Sequence, residues 1–246
     1  MQIADGVHRL GTGLVNAYLL VDGGAITVID AGLPGYWSDL QAELASIDCG
    51  LEDIRAVVLT HGHSDHIGFA ERARRERGVT VSVHEADALL ARGKVKNPAK
   101  GTGPVRPLPL FRFIALALRK GGWHIDRLRE VATFGDGATL DVPGSPQVIL
   151  VPGHTPGSAA LHVPARGLLF VGDAFATTAV TTGETGPRLA PFTADAPQAL
   201  ESLERLRGLE GADLLLPGHG EPWLGGMDLA IDRVRLAAAT AGSGRR

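Results

Sequence analysis

Four side chains able to bind a metal ion lie within one short segment, HGHSDH. They are His61, His63, Asp65 and His66. The segment follows 55–60 (RAVVLT), an apolar run between polar residues that is typical of a strand buried on both faces. Alternate residues of the following loop can point the same way, so His61 and His63 can bind one ion while Asp65 and His66 face another. The spacing therefore predicts metal chemistry at the end of this strand.

Three later turns share one design, because each follows an apolar run and has a glycine beside a residue that can bind metal. They contain His154 (GHTPGS), Asp173 (VGDAF) and His219 (PGHG). Since Cys49 is the single cysteine, imidazole and carboxylate groups are the only metal ligands present in quantity. Imidazole and carboxylate ligands of this kind suit zinc, iron or manganese rather than calcium or magnesium.

The elements that must position these turns alternate between strands and helices. Two strands around a tight turn at 22–24 (DGG) predict a hairpin, and an apolar stripe after Ser38 predicts a helix that this serine caps. The predicted strands cover 16–21, 25–30, 55–60, 79–83, 147–151, 159–163, 168–171 and 212–216, and the predicted helices cover 38–47, 67–77 and 196–207. This order indicates an α/β layer structure.

Two halves of the chain look alike. In each, a strand ends at an aspartate, a helix follows, and a second strand ends at a histidine. These residues are Asp30 and His61 in the first half, and Asp173 and His219 in the second. We interpret the pattern as a weak internal duplication that predicts two similar sheets facing each other, with the polar strand ends at one edge. The length of 246 residues suits one α/β domain, so we expect residues 1–246 to form a single domain.

The succession of motifs HxHxDH, GHTPG, GD and PGHG resembles that of the metallo-β-lactamase superfamily. The resemblance extends from about Ala25 to Gly220, with the motifs in the family's order. It implies a four-layer αββα sandwich and the ligands of two metal ions. These ligands would be His61, His63 and His154 for the first ion, Asp65, His66 and His219 for the second, and Asp173 between the two. Asp30 is expected to support its neighbours rather than to bind metal.

The activity implied by the resemblance is metal-dependent hydrolysis of a small molecule. Two divalent ions, with zinc favoured and iron or manganese also suited, would ionise a water whose hydroxide attacks an ester, thioester or lactone carbonyl. Asp65 is expected to orient this hydroxide as a catalytic residue. Two ions (+4) with Asp65, Asp173 and a hydroxide (-3) leave a charge of about +1, which favours an anionic substrate.

The reaction itself stays open at this point. Asp173 stands where the β-lactamases of the superfamily usually have Cys or Ser, and no Tyr lies between Asp173 and His219, where the similar lactonases use one. A persulfide dioxygenase of the same superfamily would bind a single iron at His61, His154 and Asp173. A phosphodiesterase and a noncatalytic metal-binding protein are also compatible with these motifs.

A strongly basic segment lies around residues 91–130, between the two halves. Residues 92–129 have ten basic side chains against Asp126 alone, a local charge of +9. The sequence predicts an extended stretch over 104–109 and a helix over 110–119. We expect this helical insertion to form a lid over the metal site, and a solvated surface or a dimer contact is the alternative. The inner face of the lid would consist of Phe111, Phe113, Leu116 and Trp123.

Composition argues against several other classes of protein. The net charge of -3 disfavours a nucleic-acid partner for the molecule as a whole, although not for its basic segment. The longest apolar run, 113–118, is much shorter than the ~20 residues of a membrane-spanning helix. The first residues lack the basic and apolar parts of a signal peptide, so the sequence predicts a cytoplasmic protein. It leaves open whether the chain forms a homo-oligomer.

Overall fold

The N-terminal part of the chain forms a mixed sheet of seven strands in a computed structural model, which describes residues 1–96, 98–99 and 103–243. The strands are β1 (Gln2–Ala4), β2 (Val7–Gly11), β3 (Asn16–Asp22), β4 (Ala25–Ile29), β5 (Ile54–Val58), β6 (Thr80–His84) and β7 (Ala132–Phe134). They follow chain order across the sheet, antiparallel from β1 to β4 and parallel from β4 to β7. The predicted hairpin corresponds to β3 and β4.

A second sheet has four strands in the order β13, β10, β9, β8. Its strands are β8 (Gln147–Leu150), β9 (Ala159–Val163), β10 (Leu168–Gly172) and β13 (Leu214–Pro217), while β11 (Ala176–Thr178) and β12 (Thr185–Arg188) form a separate pair. Strands β10 and β13 are parallel, and the other pairs of this sheet are antiparallel. The carboxyl ends of β10 and β13 therefore lie at the same edge.

Six α-helices accompany the sheets in the described part of the chain. They are α1 (Tyr36–Ser46), α2 (Ala70–Arg77), α3 (Ala88–Ala91), α4 (Pro107–Arg119), α5 (Ala196–Ser202) and α6 (Met227–Ser243). Among the residues that the structure describes, no helix combines the length and the apolar character needed to cross a membrane.

Three apolar layers hold the sheets and helices together. Between the sheets, the rings of Tyr18 and Phe170 meet edge to face with their centroids 5.5 Å apart, and Leu161 packs in the same layer. Leu40 of α1 packs on the outer side of the first sheet, and Ile231 of α6 on the outer side of the second. Full burial of one such side chain contributes about 1.5–3 kcal/mol. The order helix, sheet, sheet, helix confirms the predicted αββα fold.

The predicted duplication corresponds to one unit in each half. Strand β4, helix α1 and strand β5 form the first unit, and β10, α5 and β13 form the second. In both units the two strands are parallel neighbours joined through a helix. The remaining strands differ, since one sheet has seven strands and the other four. The similarity is therefore confined to the units that carry the predicted metal-binding turns.

Two helices begin earlier than the sequence patterns predict. Helix α1 has Gly35 at its N-cap without a side-chain cap, and Ser38 instead donates its hydroxyl to the Gly35 carbonyl at 2.9 Å. Helix α4 begins at Pro107, so the prediction of an extended stretch through residue 109 is wrong. The first turn of a helix has backbone N–H groups without helical partners, and proline lacks that group, so Pro107 fits there.

The basic segment 91–130 joins α3 to β7, so it lies within the connections of the seven-stranded sheet rather than between the two halves. Residues 97 and 100–102 of this segment lie outside the described residues. Helix α4, its main element, has an unequal distribution of apolar side chains between its two faces.

Of the four side chains expected on the inner face of the lid, two face inwards. Leu116 is buried and Phe113 is half-buried, whereas Phe111 is 66% and Trp123 is 73% exposed. The prediction for Phe111 and Trp123 was wrong. Leu116 lies five positions after Phe111, which turns the two side chains roughly 140° apart around the helix axis. One face of α4 therefore packs on the protein while the other, with Phe111, is exposed.

Candidate metal centre

Loops at one edge of the two sheets bring the seven predicted ligands together. The HGHSDH loop follows β5, the His154 loop joins β8 to β9, and the turns with Asp173 and His219 follow β10 and β13. All seven are buried except Asp65, whose side chain is 21% exposed. Their nitrogen and oxygen atoms form three overlapping groups, each with its atoms within 4.8 Å of one another. The groups are His61, His63 and His154; His61, His66 and Asp173; and Asp65, His66 and His219.

Two of the imidazoles are oriented by one buried carboxylate, that of Asp30. Nδ1 of His66 donates to Asp30 Oδ2 at 2.9 Å. The Thr60 hydroxyl donates to the same oxygen at 2.8 Å and accepts from Nδ1 of His61 at 3.1 Å. Asp30 has a φ of 58°, a left-handed conformation that aspartate tolerates better than most residues. Because both Nδ1 protons are directed outwards, Nε2 of each ring is the nitrogen that faces the cluster.

Two more imidazoles are held by oxygen atoms of other loops. Nδ1 of His154 lies 3.2 Å from Oγ1 of Thr193, whose hydroxyl donates to the Ala190 carbonyl at 2.7 Å. Nδ1 of His219 donates to the Leu14 carbonyl at 2.5 Å. These contacts fix the same tautomer as in the first two rings. Nε2 is therefore the nitrogen with which His154 and His219 can bind an ion.

The carboxylate of Asp173 lies at the centre of the cluster. Its Oδ2 is 3.3 Å from Nε2 of His154 and 3.2 Å from Nε2 of His219, and its Oδ1 is 3.7 Å from Nε2 of His66. On one side, Nδ1 of His63 lies 2.9 Å from Nε2 of His154. On the other, Oδ2 of Asp65 lies 3.5 Å from Nε2 of His219. A carboxylate placed between two such groups can contact both ions of a dinuclear centre.

Several buried atoms of the cluster have no hydrogen bond to any part of the chain that the structure describes. They are Nε2 of His61, Nε2 of His66 and Oδ1 of Asp173. An unsatisfied buried polar group costs about 1–3 kcal/mol, and a bound cation removes that cost. Gly218 leaves room beside these atoms, because a Cβ there would overlap Asp173 and His66. The residues therefore fit divalent metal ions of the transition series.

Electrostatics divide the imidazoles into two kinds. Burial lowers the pKa of His154 to about 3, against the attraction of Asp173, and burial with the neighbouring imidazoles lowers the pKa of His61 well below its usual value. Burial also acts to lower the pKa of His66, but the carboxylates of Asp30 and Asp173 outweigh it and raise this pKa to about 10. Neutral His61 and His154 are ready to bind metal, while an ion at His66 must replace a proton.

Comparison with known proteins identifies the family. The family model of the metallo-beta-lactamase superfamily matches residues 10–219, which include all seven side chains of the cluster. The chain belongs to this superfamily. Within it, the probable metallo-hydrolase YflN of Bacillus subtilis (strain 168) is 30% identical over 236 residues, which are 91% of this chain and 87% of YflN. The chain is thus a member of the metallo-hydrolase superfamily with His/Asp clusters that can bind metal.

Solved structures of the superfamily agree with the fold. The metallo-beta-lactamase family protein TTHA1429 from Thermus thermophilus superimposes with a TM-score of 0.70 over 98% of this chain and 81% of its own, at 24% identity. TTHA1623, solved in a di-iron-bound form, gives a TM-score of 0.62 over 91% of this chain and 96% of its own, at 28% identity. At 24% identity, the likeness to TTHA1429 concerns the fold alone.

One supporting residue, Asp87, was missed by the sequence patterns. It is fully buried, and it joins the HGHSDH loop of this superfamily member to its His154 loop. Its Oδ2 accepts hydrogen bonds from the Gly62 N–H at 2.8 Å and the Thr155 hydroxyl at 2.7 Å, and its Oδ1 accepts one from the Gly157 N–H at 2.8 Å. One signal in the sequence could have pointed to Asp87, because this carboxylate comes shortly after β6, at the same sheet edge. It has no adjacent glycine, unlike the three later turns with predicted ligands.

Proposed function

We propose that the chain is a hydrolase that uses two divalent ions to cleave a carboxylic ester, thioester or lactone in a small molecule. The observation that carries the proposal is the donor arrangement, in which a central carboxylate lies between two sets of three ligands. The first set is His61, His63 and His154, and the second is Asp65, His66 and His219. Asp173 would contact both ions.

Zinc is the ion that we favour, because imidazole with one or two carboxylates suits it. The di-iron-bound form of the relative TTHA1623 makes iron the main competitor. Elemental analysis of the purified protein distinguishes the two, and a ratio of metal to chain near two is expected.

With divalent ions bound, these ligands would provide a site that acidifies water to a nucleophile at neutral pH and polarises the carbonyl oxygen of the substrate. The residues around them have separate tasks. Asp65, the one partly exposed ligand, is the carboxylate that an entering substrate and its attacking water meet, so it is placed to orient the water and accept its proton. The contacts of Asp30, Thr60 and Thr193 keep the imidazoles in the required tautomer.

A hydrolysis screen of the metal-loaded protein tests the proposal. Lactones, thioesters, aryl esters and bis(p-nitrophenyl) phosphate form the panel. We expect turnover in one of the first three classes, abolished by a chelator and restored by added metal. Turnover of the phosphodiester alone would identify a phosphodiesterase, and oxygen consumption with a persulfide at one iron per chain would identify a dioxygenase. Bound metal without turnover of any compound would indicate a noncatalytic metal-binding protein.

Substitution Asp30→Asn is expected to weaken metal binding about 10–100-fold, the usual effect of removing a group that orients a metal-binding histidine. The amide nitrogen would face two donors, the His66 Nδ1–H and the Thr60 hydroxyl, which now donate to a carboxylate. Competition with a chromophoric chelator measures the affinity. Asp22→Asn is the matched control, since Asp22 accepts one backbone hydrogen bond far from the cluster. Equal affinity of both variants would contradict the role of Asp30.

Substitution Phe113→Ala tests whether α4 borders the substrate. The Phe113 ring is half-buried with its centroid 6.4 Å from that of His219, so it can contact the apolar part of a bound acyl group. Loss of such a contact should raise KM about tenfold for a hexanoyl ester and less for an acetyl ester, with metal content unchanged. Phe111→Ala is the control on the exposed face of the same helix. If both variants have the same KM values, α4 is not a lid.

A further inference from the structure

The basic side chains of residues 92–129 differ in whether an acidic group neutralises them. Arg106, Lys120 and Arg129 contact the carboxylates of Glu184, Asp39 and Glu71. Six others have no carboxylate within 4.0 Å among the residues that the structure describes: Arg92, Lys94, Lys96, Arg112, Arg119 and Arg127. This segment therefore presents positive charge that the rest of the molecule does not cancel.

Two of these cations line a cavity that also reaches the candidate metal centre. Lys96 and Arg127 share a cavity of about 350 Å³ with His63, a predicted ligand, and with its neighbours Gly62 and Ser64. No acidic residue is among the described residues that line it. Arg112 and Arg119 line a different groove of about 300 Å³, whose described walls contain none of the seven predicted ligands.

The backbone directly after Arg127 is anchored by buried contacts. Leu128 is 2% exposed, and its N–H donates to the Ala91 carbonyl at the end of α3 at 3.3 Å. The next residue, Arg129, donates its N–H to Glu71 at 3.2 Å. The stem of Arg127 lies close to Gly93, where a Cβ would approach the Arg127 Cγ at 2.9 Å. This anchoring limits the positions that the Arg127 guanidinium can occupy at the cavity.

Three carboxylates of the loops around the candidate centre have partners of their own. Asp65 lies beside His219 at 3.5 Å, and Asp87 accepts three hydrogen bonds from the two loops that it joins. Asp30, which bonds to His66, brings a further negative charge to the cluster. The charges of two divalent ions, of the carboxylates of Asp65, Asp173 and Asp30, and of a hydroxide sum to about zero. Attraction of an anionic substrate would thus depend on the surrounding lysine and arginine side chains.

We propose that Lys96 and Arg127 form a subsite for a carboxylate on the acyl part of the substrate, in the cavity that they share with His63. The inference rests on the proposed hydrolase function and specifies its substrate class, namely esters or thioesters of a dicarboxylic acid. A guanidinium offers two parallel N–H groups that match a carboxylate, and a nearby ammonium adds a point charge. The cavity of about 350 Å³ has room for a carboxylate between these side chains and His63.

Two p-nitrophenyl esters of equal chain length test the subsite in the metal-loaded protein. The succinate monoester ends in a carboxylate where the butyrate ester ends in a methyl group. We expect kcat/KM to favour the succinate ester, and the double variant Lys96→Gln/Arg127→Gln to lower this preference about tenfold through KM. The preference should also fall as salt concentration rises in the native protein. The double variant Arg112→Gln/Arg119→Gln removes the same charge at the other groove and should keep the preference.

Calorimetric titration with monomethyl succinate gives a second measurement, of binding rather than of the preference between the two p-nitrophenyl esters. Binding about tenfold weaker in the Lys96/Arg127 double variant than in the Arg112/Arg119 double variant supports the subsite even if neither ester is hydrolysed, in which case only the hydrolase proposal fails. Hydrolysis of both esters with equal preference in both double variants, together with equal binding of monomethyl succinate, would overturn the subsite and leave the hydrolase proposal standing. An equal loss in both double variants would indicate general attraction of anions and would also overturn it.

Discussion

Asp173→Asn is expected to remove at least one bound ion and to abolish hydrolysis with it. The carboxylate of Asp173 lies within 3.7 Å of His66, His154 and His219 at the same time, so both proposed ions depend on it. Its pKa lies well below the usual value, because His219, His66 and His154 outweigh the effect of burial, and an amide cannot replace that negative charge. We expect at most one ion per chain instead of about two, and a loss of kcat/KM of roughly 10³-fold or more.

Metal content by elemental analysis and hydrolysis of the best substrate from the screen measure the two effects. Circular dichroism of the metal-free variant shows whether the fold is retained, which separates loss of ligands from loss of structure. Asp141→Asn is the control, because Asp141 is exposed and distant in sequence from every predicted ligand. An Asp173→Asn protein that keeps two ions and full activity would rule out the proposed centre.

The positions of the predicted ligands could be inferred from local patterns. A buried parallel strand reads as a short apolar run, and the turn after it lies at the sheet edge where loops from other parallel strands also meet. For this reason His61, Asp173 and His219 were each expected at the same edge, and the structure places them there. Pairing of β4 with β5 and of β10 with β13 brings these strand ends together.

The groups that orient the ligands were harder to infer. Thr193 is 39 residues from His154, and the Leu14 carbonyl that holds His219 is 205 residues away. No local periodicity predicts such contacts, because they depend on how two sheets pack against each other. Asp30 was expected to support its neighbours since it ends the strand before α1, and its bond to His66 agrees with that expectation. A single domain and a cytoplasmic location stay predictions.

The orientation of α4 shows a different limit. Apolar residues on most sides of a short helix do not indicate which side packs on the protein. Phe113 and Leu116 face inwards, whereas Phe111 and Trp123 are exposed. The deciding contacts come from the anchors at the two ends of the helix: the Arg106 N–H donates to the Thr181 carbonyl at 2.8 Å, and Lys120 binds Asp39 at 2.7 Å. Neither partner is close in sequence, so the rotation of α4 was not predictable.

Asp87→Ala is expected to give the largest loss of stability. The substitution leaves three buried donors without an acceptor, namely the Gly62 N–H, the Thr155 hydroxyl and the Gly157 N–H. Each orphaned donor costs about 1–3 kcal/mol, and because such costs are not additive we expect a total of about 3–5 kcal/mol. For a chain of this length the melting temperature should fall by about 10 °C. Urea unfolding and thermal scans of the metal-free protein measure both quantities.

A matched control separates the network at Asp87 from the loss of any aspartate hydrogen bond. Asp195 caps α5 by accepting the Gln198 N–H at 2.9 Å, so Asp195→Ala should cost only about 1 kcal/mol. Thr155→Val, which removes one of the donors to Asp87, should also cost less than Asp87→Ala. Because Asp87 connects the loops of His63 and His154, its loss should weaken the first ion more than the second, measured by stepwise chelation. If Asp87→Ala were no more destabilising than Asp195→Ala, then the packing of the two loops, rather than this carboxylate, would hold the ligands in place.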